Sequence, residues 1–158
     1  MHMKRSLLFQ KIKGNLEGYQ KKVKISHDQD PPTAGIHATM SRYNWDNFQE
    51  IMNSSPDDYT GEVDVEKVTD METRIEHYFQ LHGAGDDEFK EFIKGISIYL
   101  TMIAGKPLHP PGTLFSNKTT VYERKGVYYC TGKKIFIKDE LSLCKYCICH
   151  SSPVYSTE

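Results

Sequence analysis

The sequence has no cysteine before residue 130, no long apolar run and no glycine-rich phosphate loop, and each absence removes a class of protein. The longest apolar candidate, Ile96 to Ala104, is about half of the ~20 residues that a membrane-spanning helix needs. The start, Met1-His2-Met3-Lys4-Arg5, passes into an amphipathic pattern without an apolar h-region or a small-residue cleavage site, so no secretory signal is expected. A cytoplasmic protein with reduced thiols and no membrane contact follows as the expectation. Catalytic constellations are also missing. Asp57-Asp58 and Asp86-Asp87 are neighbours in sequence, which suits turns and helix caps better than paired acid–base work. A cysteine nucleophile with His109 as base would have no oxyanion or third-residue pattern beside it.

What is present describes one globular domain. The chain has 158 residues, 38% of them hydrophobic and 26% charged, and it is rich in tyrosine, with 10. Its net charge of −1 conceals a segregation: residues 1 to 25 sum to +6, residues 26 to 104 to −11 and residues 105 to 150 to +5, with Glu158 completing the total. Basic ends packed beside an acidic middle explain this pattern. A basic surface for nucleic acid is the sharper alternative, using Lys118, Arg124, Lys125, Lys133, Lys134 and Lys145 beside Tyr122, Tyr128 and Tyr129.

Hydrophobic periodicity predicts four helices in the first two thirds of the chain. Leu8, Ile12, Leu16, Tyr19 and Val23 form one stripe over residues 4 to 25, and residues 26 to 38, with Pro31-Pro32 and Gly35, read as a loop. Ser41 is placed to cap a short helix burying Trp45, Phe48 and Met52, which Ser54-Ser55-Pro56 stops. Gly61 to Asp64 reads as a polar connection. Val68, Met71, Ile75, Tyr78 and His82 line a third helix ended by Gly83, with His82 favouring the negative end of its dipole. Asp86 and Asp87 offer caps for a fourth, the central core helix, in which Phe89, Phe92, Ile93, Ile96, Leu100 and Ile103 repeat near 3.6 residues. Gly105 and Pro107 close it, so Pro107-Leu108-His109-Pro110-Pro111 leaves at a fixed place in an extended form.

The period then changes. Thr119 to Glu123 and Val127 to Cys130 predict a hairpin turning at Arg124-Lys125-Gly126, and Lys133 to Lys138 a third short strand. The architecture expected is therefore α+β and mainly helical: a four-helix body over residues 1–106, a β-hairpin and knuckle module over 107–150 packed on it, and a loose tail over 151–158.

All four cysteines fall in that module. Cys144 and Cys147 form a C-x-x-C pair fourteen residues beyond Cys130, a spacing that lets a tight turn aim two sulfurs at one ion. A tetrahedral zinc site needs a fourth ligand, and His109, Cys149 and His150 are the candidates. His109 is favoured by its rigid proline-framed segment, whereas Cys149 and His150 follow Cys147 so closely that they read as bystanders. A c-type haem motif is excluded, because only one residue separates Cys147 from Cys149. A thioredoxin-like redox pair lacks its βαβ context.

Ile98-Tyr99-Leu100, Pro107-Leu108-His109-Pro110, Gly126-Val127-Tyr128-Tyr129-Cys130 and Leu143-Cys144-Lys145-Tyr146-Cys147 together resemble an uncharacterised archaeal family, domain of unknown function 2115, found mainly in methanogens. The resemblance runs from Asp87 to Cys147. The family's pattern has the histidine of the Pro-Leu-His-Pro segment, the cysteine after the tyrosine pair and both cysteines of the C-x-x-C, which correspond to His109, Cys130, Cys144 and Cys147, the set favoured here as zinc ligands. This chain departs from the pattern in having Thr131 where a proline usually follows the first cysteine, and in adding Cys149 and His150. No activity comes with the family.

Three functions are thus expected in order. The first is a non-enzymatic zinc protein with a Cys3His structural site, serving as an adaptor for a protein partner. The second is an iron–sulfur protein with a 4Fe-4S cluster on Cys130, Cys144, Cys147 and Cys149, acting in redox or sensing. The third is the nucleic-acid binder.

Overall fold

The architecture comes from a computed structural model, which describes residues 1–19 and 36–152. Val23, residues 26–35 of the loop expected over 26–38, and the end of the tail lie outside the described residues, while residues 36–38 of that loop are helical. Strand β1 (His2–Lys4) leads into helix α1 (Arg5–Leu16), and α2 spans Ile36–Asn53. Strand β2 (Glu62–Asp64) precedes α3 (Val65–His82) and α4 (Asp87–Ile98), which continues as a π-helical turn over Tyr99–Ala104. The module contains β3 (Val121–Arg124), β4 (Val127–Cys130), the short α5 (Lys133–Phe136) and β5 (His150–Ser151).

The α+β class and the helical body agree with the sequence, and α4 is the central helix, touching α1, α2 and α3. Phe9, Leu16, Phe48, Ile51, Met71 and Tyr99 have no exposed surface and fill the space between these helices. Asp86 caps α4 by accepting from the Phe89 N–H at 2.8 Å, as its sequence position suggested. Several expectations are corrected. Ser41 is inside α2 and caps nothing at its start, because the helix already begins at Ile36. Gly61 to Asp64 is more than a connection, since Glu62–Asp64 pairs antiparallel with His2–Lys4. On α3 the buried position is Phe79, while Tyr78 is 45% exposed, so the stripe runs Val68, Met71, Ile75, Phe79. Phe89 is likewise exposed on α4. Residues 133 to 136 form a helix in place of the expected third strand, with Ile135 and Ile137 facing outward. Ile135-Phe136-Ile137 has strand propensity, but Gly132 starts a turn whose carbonyl accepts from both Ile135 and Phe136. The third strand of the sheet is instead β5, paired parallel to β4 with Tyr129 opposite His150 and Cys130 opposite Ser151.

The end of α4 is held by a polar network that runs from the buried Tyr99 hydroxyl to the surface. Tyr99 donates to Glu50 Oε1 at 2.5 Å and stands 3.1 Å from the Tyr59 hydroxyl, while Lys106 reaches Glu50 Oε2 at 2.6 Å and Asn47 Oδ1 at 3.1 Å. Burial would raise the Glu50 carboxyl, but the hydrogen bonds from Lys106 and Tyr99 win and hold it below its usual range. Gly105 then adopts φ 62°, a left-handed conformation suited to glycine, and its N–H caps the helix on the Leu100 carbonyl. Tyr43 donates to the Pro107 carbonyl at 2.5 Å, which fixes the exit segment against α2.

Two glycines give a test of the helix packing. A Cβ on Gly95 of α4 would stand 3.1–3.2 Å from three Leu16 atoms, whereas nothing lies within 4 Å of one on Gly14 of α1. Chemical denaturation of Gly95→Ala is predicted to show a loss of about 1–3 kcal/mol from overpacking, despite the better helix propensity of alanine. Gly14→Ala is predicted to gain about 0.5–1 kcal/mol.

Candidate functional site

Hairpin β3–β4 is antiparallel, and its turn places Lys125 and Gly126 at φ 52° and 79°, the two positive values a tight two-residue turn requires. The hairpin ends on Cys130, which is 9% exposed. Parallel pairing of β5 beside β4 draws the preceding residue, Cys149, into the same small core, where it is 2% exposed among Val121, Cys130, Phe115 and Cys147. Cys144–Tyr146 is a single 3-10 turn in which the Cys147 N–H donates to the Cys144 carbonyl at 3.2 Å. All four thiols are free and line one cavity together with His109.

The sulfurs attract N–H donors. Leu108, on the exit segment of α4, donates its N–H to Cys147 Sγ at 3.5 Å. Burial pushes the Cys130 thiol up, and the N–H groups of Gly132 and Lys133 pull the other way. Burial also raises Cys144, opposed by a hydrogen bond from the Ser142 side chain. Cys147 is pulled well below an ordinary thiol, first by a hydrogen bond from the Cys149 side chain, with the Leu108 N–H and the Lys133 charge assisting. Cys149, the donor of that bond, is raised correspondingly. Lys133 Nζ caps the group by donating to the carbonyls of Cys147 at 2.9 Å and Cys149 at 2.6 Å.

The remaining expected ligands are placed differently. The His109 ring stands edge-on to Phe115, with centroids 4.9 Å apart, and loss of water lowers its pKa, so the imidazole is neutral at pH 7. His150 is exposed on β5, 5.9 Å from the Tyr129 ring. Among the described residues, no three His, Cys, Asp or Glu side chains are arranged so that they could hold an ion. Of the cations named for nucleic acid, Lys133 is committed to the cysteine carbonyls and Lys145 stands 3.5 Å from Asp70 and over the Tyr146 ring. Arg124 stacks on Tyr122 of its own hairpin. Lys118, Lys125 and Lys134 lie on the same module, Lys118 with φ 68° in the loop before β3. Sequence reasoning missed the inward role of Lys133 and the burial of Cys149. Both depend on β5 pairing with β4, which local spacing does not encode.

The knuckle is clamped to the helical body through Asp70 of α3. Tyr146 donates to Asp70 in a short hydrogen bond, and Arg74 Nε does so at 2.9 Å. Arg74 then reaches the carbonyls of Glu140 at 2.6 Å and Ser142 at 2.9 Å. The Tyr146 bond, against burial and aided by Arg74 and Lys145, holds the Asp70 carboxyl below its usual range. A carboxylate depressed in this way stabilises the fold above its unfolded pKa near 3.9, and that contribution disappears as pH falls through the lower folded value. Asp70 is 39% exposed, so the contribution is at most about 1 kcal/mol. Thermal melts of Asp70→Asn are therefore predicted to lie below wild type at pH 6 and to converge with it toward pH 2.5. A difference independent of pH would contradict the clamp.

Comparison with known proteins places the chain among its relatives. Residues 7–152 match the model of the family described as an uncharacterized protein conserved in archaea, domain of unknown function 2115. A UPF0305 protein of Methanocaldococcus jannaschii is 31% identical over 94% of this chain and 97% of its own length. One from Methanococcus maripaludis strain C6 is 31% identical over 65% of the chain and 62% of its own, and one from Methanothermobacter thermautotrophicus is 40% identical over 39% and 41%. No solved structure matches. With the family model spanning both the helical body and the cysteine module, the chain belongs to this uncharacterised archaeal family, domain of unknown function 2115.

Proposed function

We propose that this chain is a zinc-binding protein whose site is built from Cys130, Cys144, Cys147 and Cys149. The observation that carries the reading is the gathering of four free thiols on one cavity, with the Leu108 N–H donating to Cys147 Sγ and Cys147 held well below an ordinary thiol, an environment that favours a thiolate ligand. The donor set fits zinc in chemistry. Because the side chains as placed do not form an ion-holding group, the reading implies that the sulfurs close on the ion when it binds.

Cys149 replaces His109 as fourth ligand in this proposal. Its side chain hydrogen-bonds Cys147, whereas the His109 imidazole is turned edge-on to Phe115. Two neighbouring thiols that share a hydrogen bond suit adjacent corners of one tetrahedral site. An iron–sulfur cluster is the second reading, favoured by the all-thiol donor set. The close Cys147–Cys149 pair argues against it. A site closed by four protein ligands has no open position, so its role is to tie β4, the knuckle and β5 together, with a stabilisation on the order of 10 kcal/mol at neutral pH. The function is then that of a binding module for a protein partner.

Metal analysis of protein purified without oxygen tests this. About one zinc per chain is predicted in wild type and His109→Ala, and loss of zinc in Cys149→Ser. Zinc retained by Cys149→Ser and lost by His109→Ala would return the site to Cys3His. Iron with visible absorbance would replace zinc with a cluster.

A further inference from the structure

A cavity of about 530 Å³ lies between the helical body and the cysteine module, and the four thiols are a small part of its lining. A bound ion needs roughly the volume of one water, about 30 Å³, so the rest of the space is not explained by metal. Its size falls within the range of about 300–1,000 Å³ typical of small-molecule sites.

The walls indicate what would occupy it. Ile75 and Phe79 of α3 face Ile93, Ile96 and Leu100 of α4, and Phe115, Phe136 and Leu143 close the far side. Tyr78 and Phe89, which also line the cavity, are 45% and 44% exposed, so two aromatic rings stand at its mouth. The cavity's charged side chains are Lys133 and Asp139, one of each sign, and Lys133 Nζ is already taken by two carbonyls. Among the described residues, no uncommitted cation lines the cavity to select an anion. Leu100, a core residue that also lines the cavity, belongs to the π-helical turn, a rare geometry that often marks functional sites.

We propose that this cavity binds one small, uncharged, largely apolar molecule of about the size of two or three fused rings, in contact with the helix faces and the cysteine cluster that line it. The module supplies more of the lining than α3 and α4 do, but the wall residues varied below, Ile93 and Ser97, lie on α4 away from the proposed zinc ligands, so the inference is tested apart from the metal reading.

The neutral fluorophore 1-aminoanthracene, titrated into the full-length protein, tests it. Saturable enhancement at one probe per chain is expected, together with a rise in the thermal midpoint at saturating probe. Ile93→Trp, which fills the space from α4, is expected to weaken binding at least tenfold while keeping the helical circular dichroism. Ser97→Leu, a second wall substitution, should act in the same direction should Ile93→Trp fail to fold. Leu81→Ser, on the exposed face of α3 and outside the cavity, should bind as wild type does. Unsaturable fluorescence, or equal affinity in wild type and a folded wall variant, would overturn the proposal.

Discussion

The buried hydroxyl of Tyr99 must have an acceptor, and the rest of the molecule is arranged around the one it finds. The Tyr99 ring has no exposed surface, so an unpaired hydroxyl there would cost about 1–3 kcal/mol. Glu50 supplies the acceptor, Lys106 neutralises Glu50, and Asn47 shares Lys106. These contacts lock α2 to the end of α4. They also fix the direction in which the chain leaves the helix, through Gly105 and a Pro107 carbonyl held by Tyr43. The next N–H, that of Leu108, then meets Cys147 Sγ. A side chain in the helical core thereby sets the position of the first donor on a cysteine.

From the other side, Asp70 and Arg74 grip the knuckle, and β5 returns the chain to β4. Three separate elements thus bring cysteines to one wall of one cavity without a disulfide among them. The electrostatics there single out Cys147 as the sulfur that carries negative charge most easily, since the Cys149 side chain, the Leu108 N–H and Lys133 outweigh the penalty of burial at it, whereas burial prevails at Cys130 and Cys144. That division of labour, with a rigid helical body and a module fastened to it, leaves a hollow between the two with apolar walls and exposed aromatic rings at its opening.

Much of this was legible in the sequence because it is local. Asp86 as a cap, the 3.6 period of Phe92, Ile96 and Leu100, the Gly105 stop and the Lys125-Gly126 turn are all settled within a few residues, and each stands in the structure as its chemistry suggests. What failed was long-range. Tyr78 and Phe79 are equally good helix-face candidates until the partner surface is known, and the strand propensity of Ile135-Phe136-Ile137 yields to the turn that Gly132 opens. The burial of Cys149 was hidden because adjacency to Cys147 is visible in the sequence, whereas the parallel pairing of His150 with Tyr129 is not. The inward turn of Lys133 was hidden for the same reason, its partners being carbonyls fourteen and sixteen residues away.

The central claim, a zinc ion held by four cysteine sulfurs, is tested most directly by X-ray absorption at the zinc edge of the protein purified without oxygen. The account predicts four sulfur neighbours at about 2.3 Å and no nearer nitrogen or oxygen. A scattering shell at about 2.0–2.1 Å, the distance of an imidazole nitrogen, would contradict it and return His109 to the site.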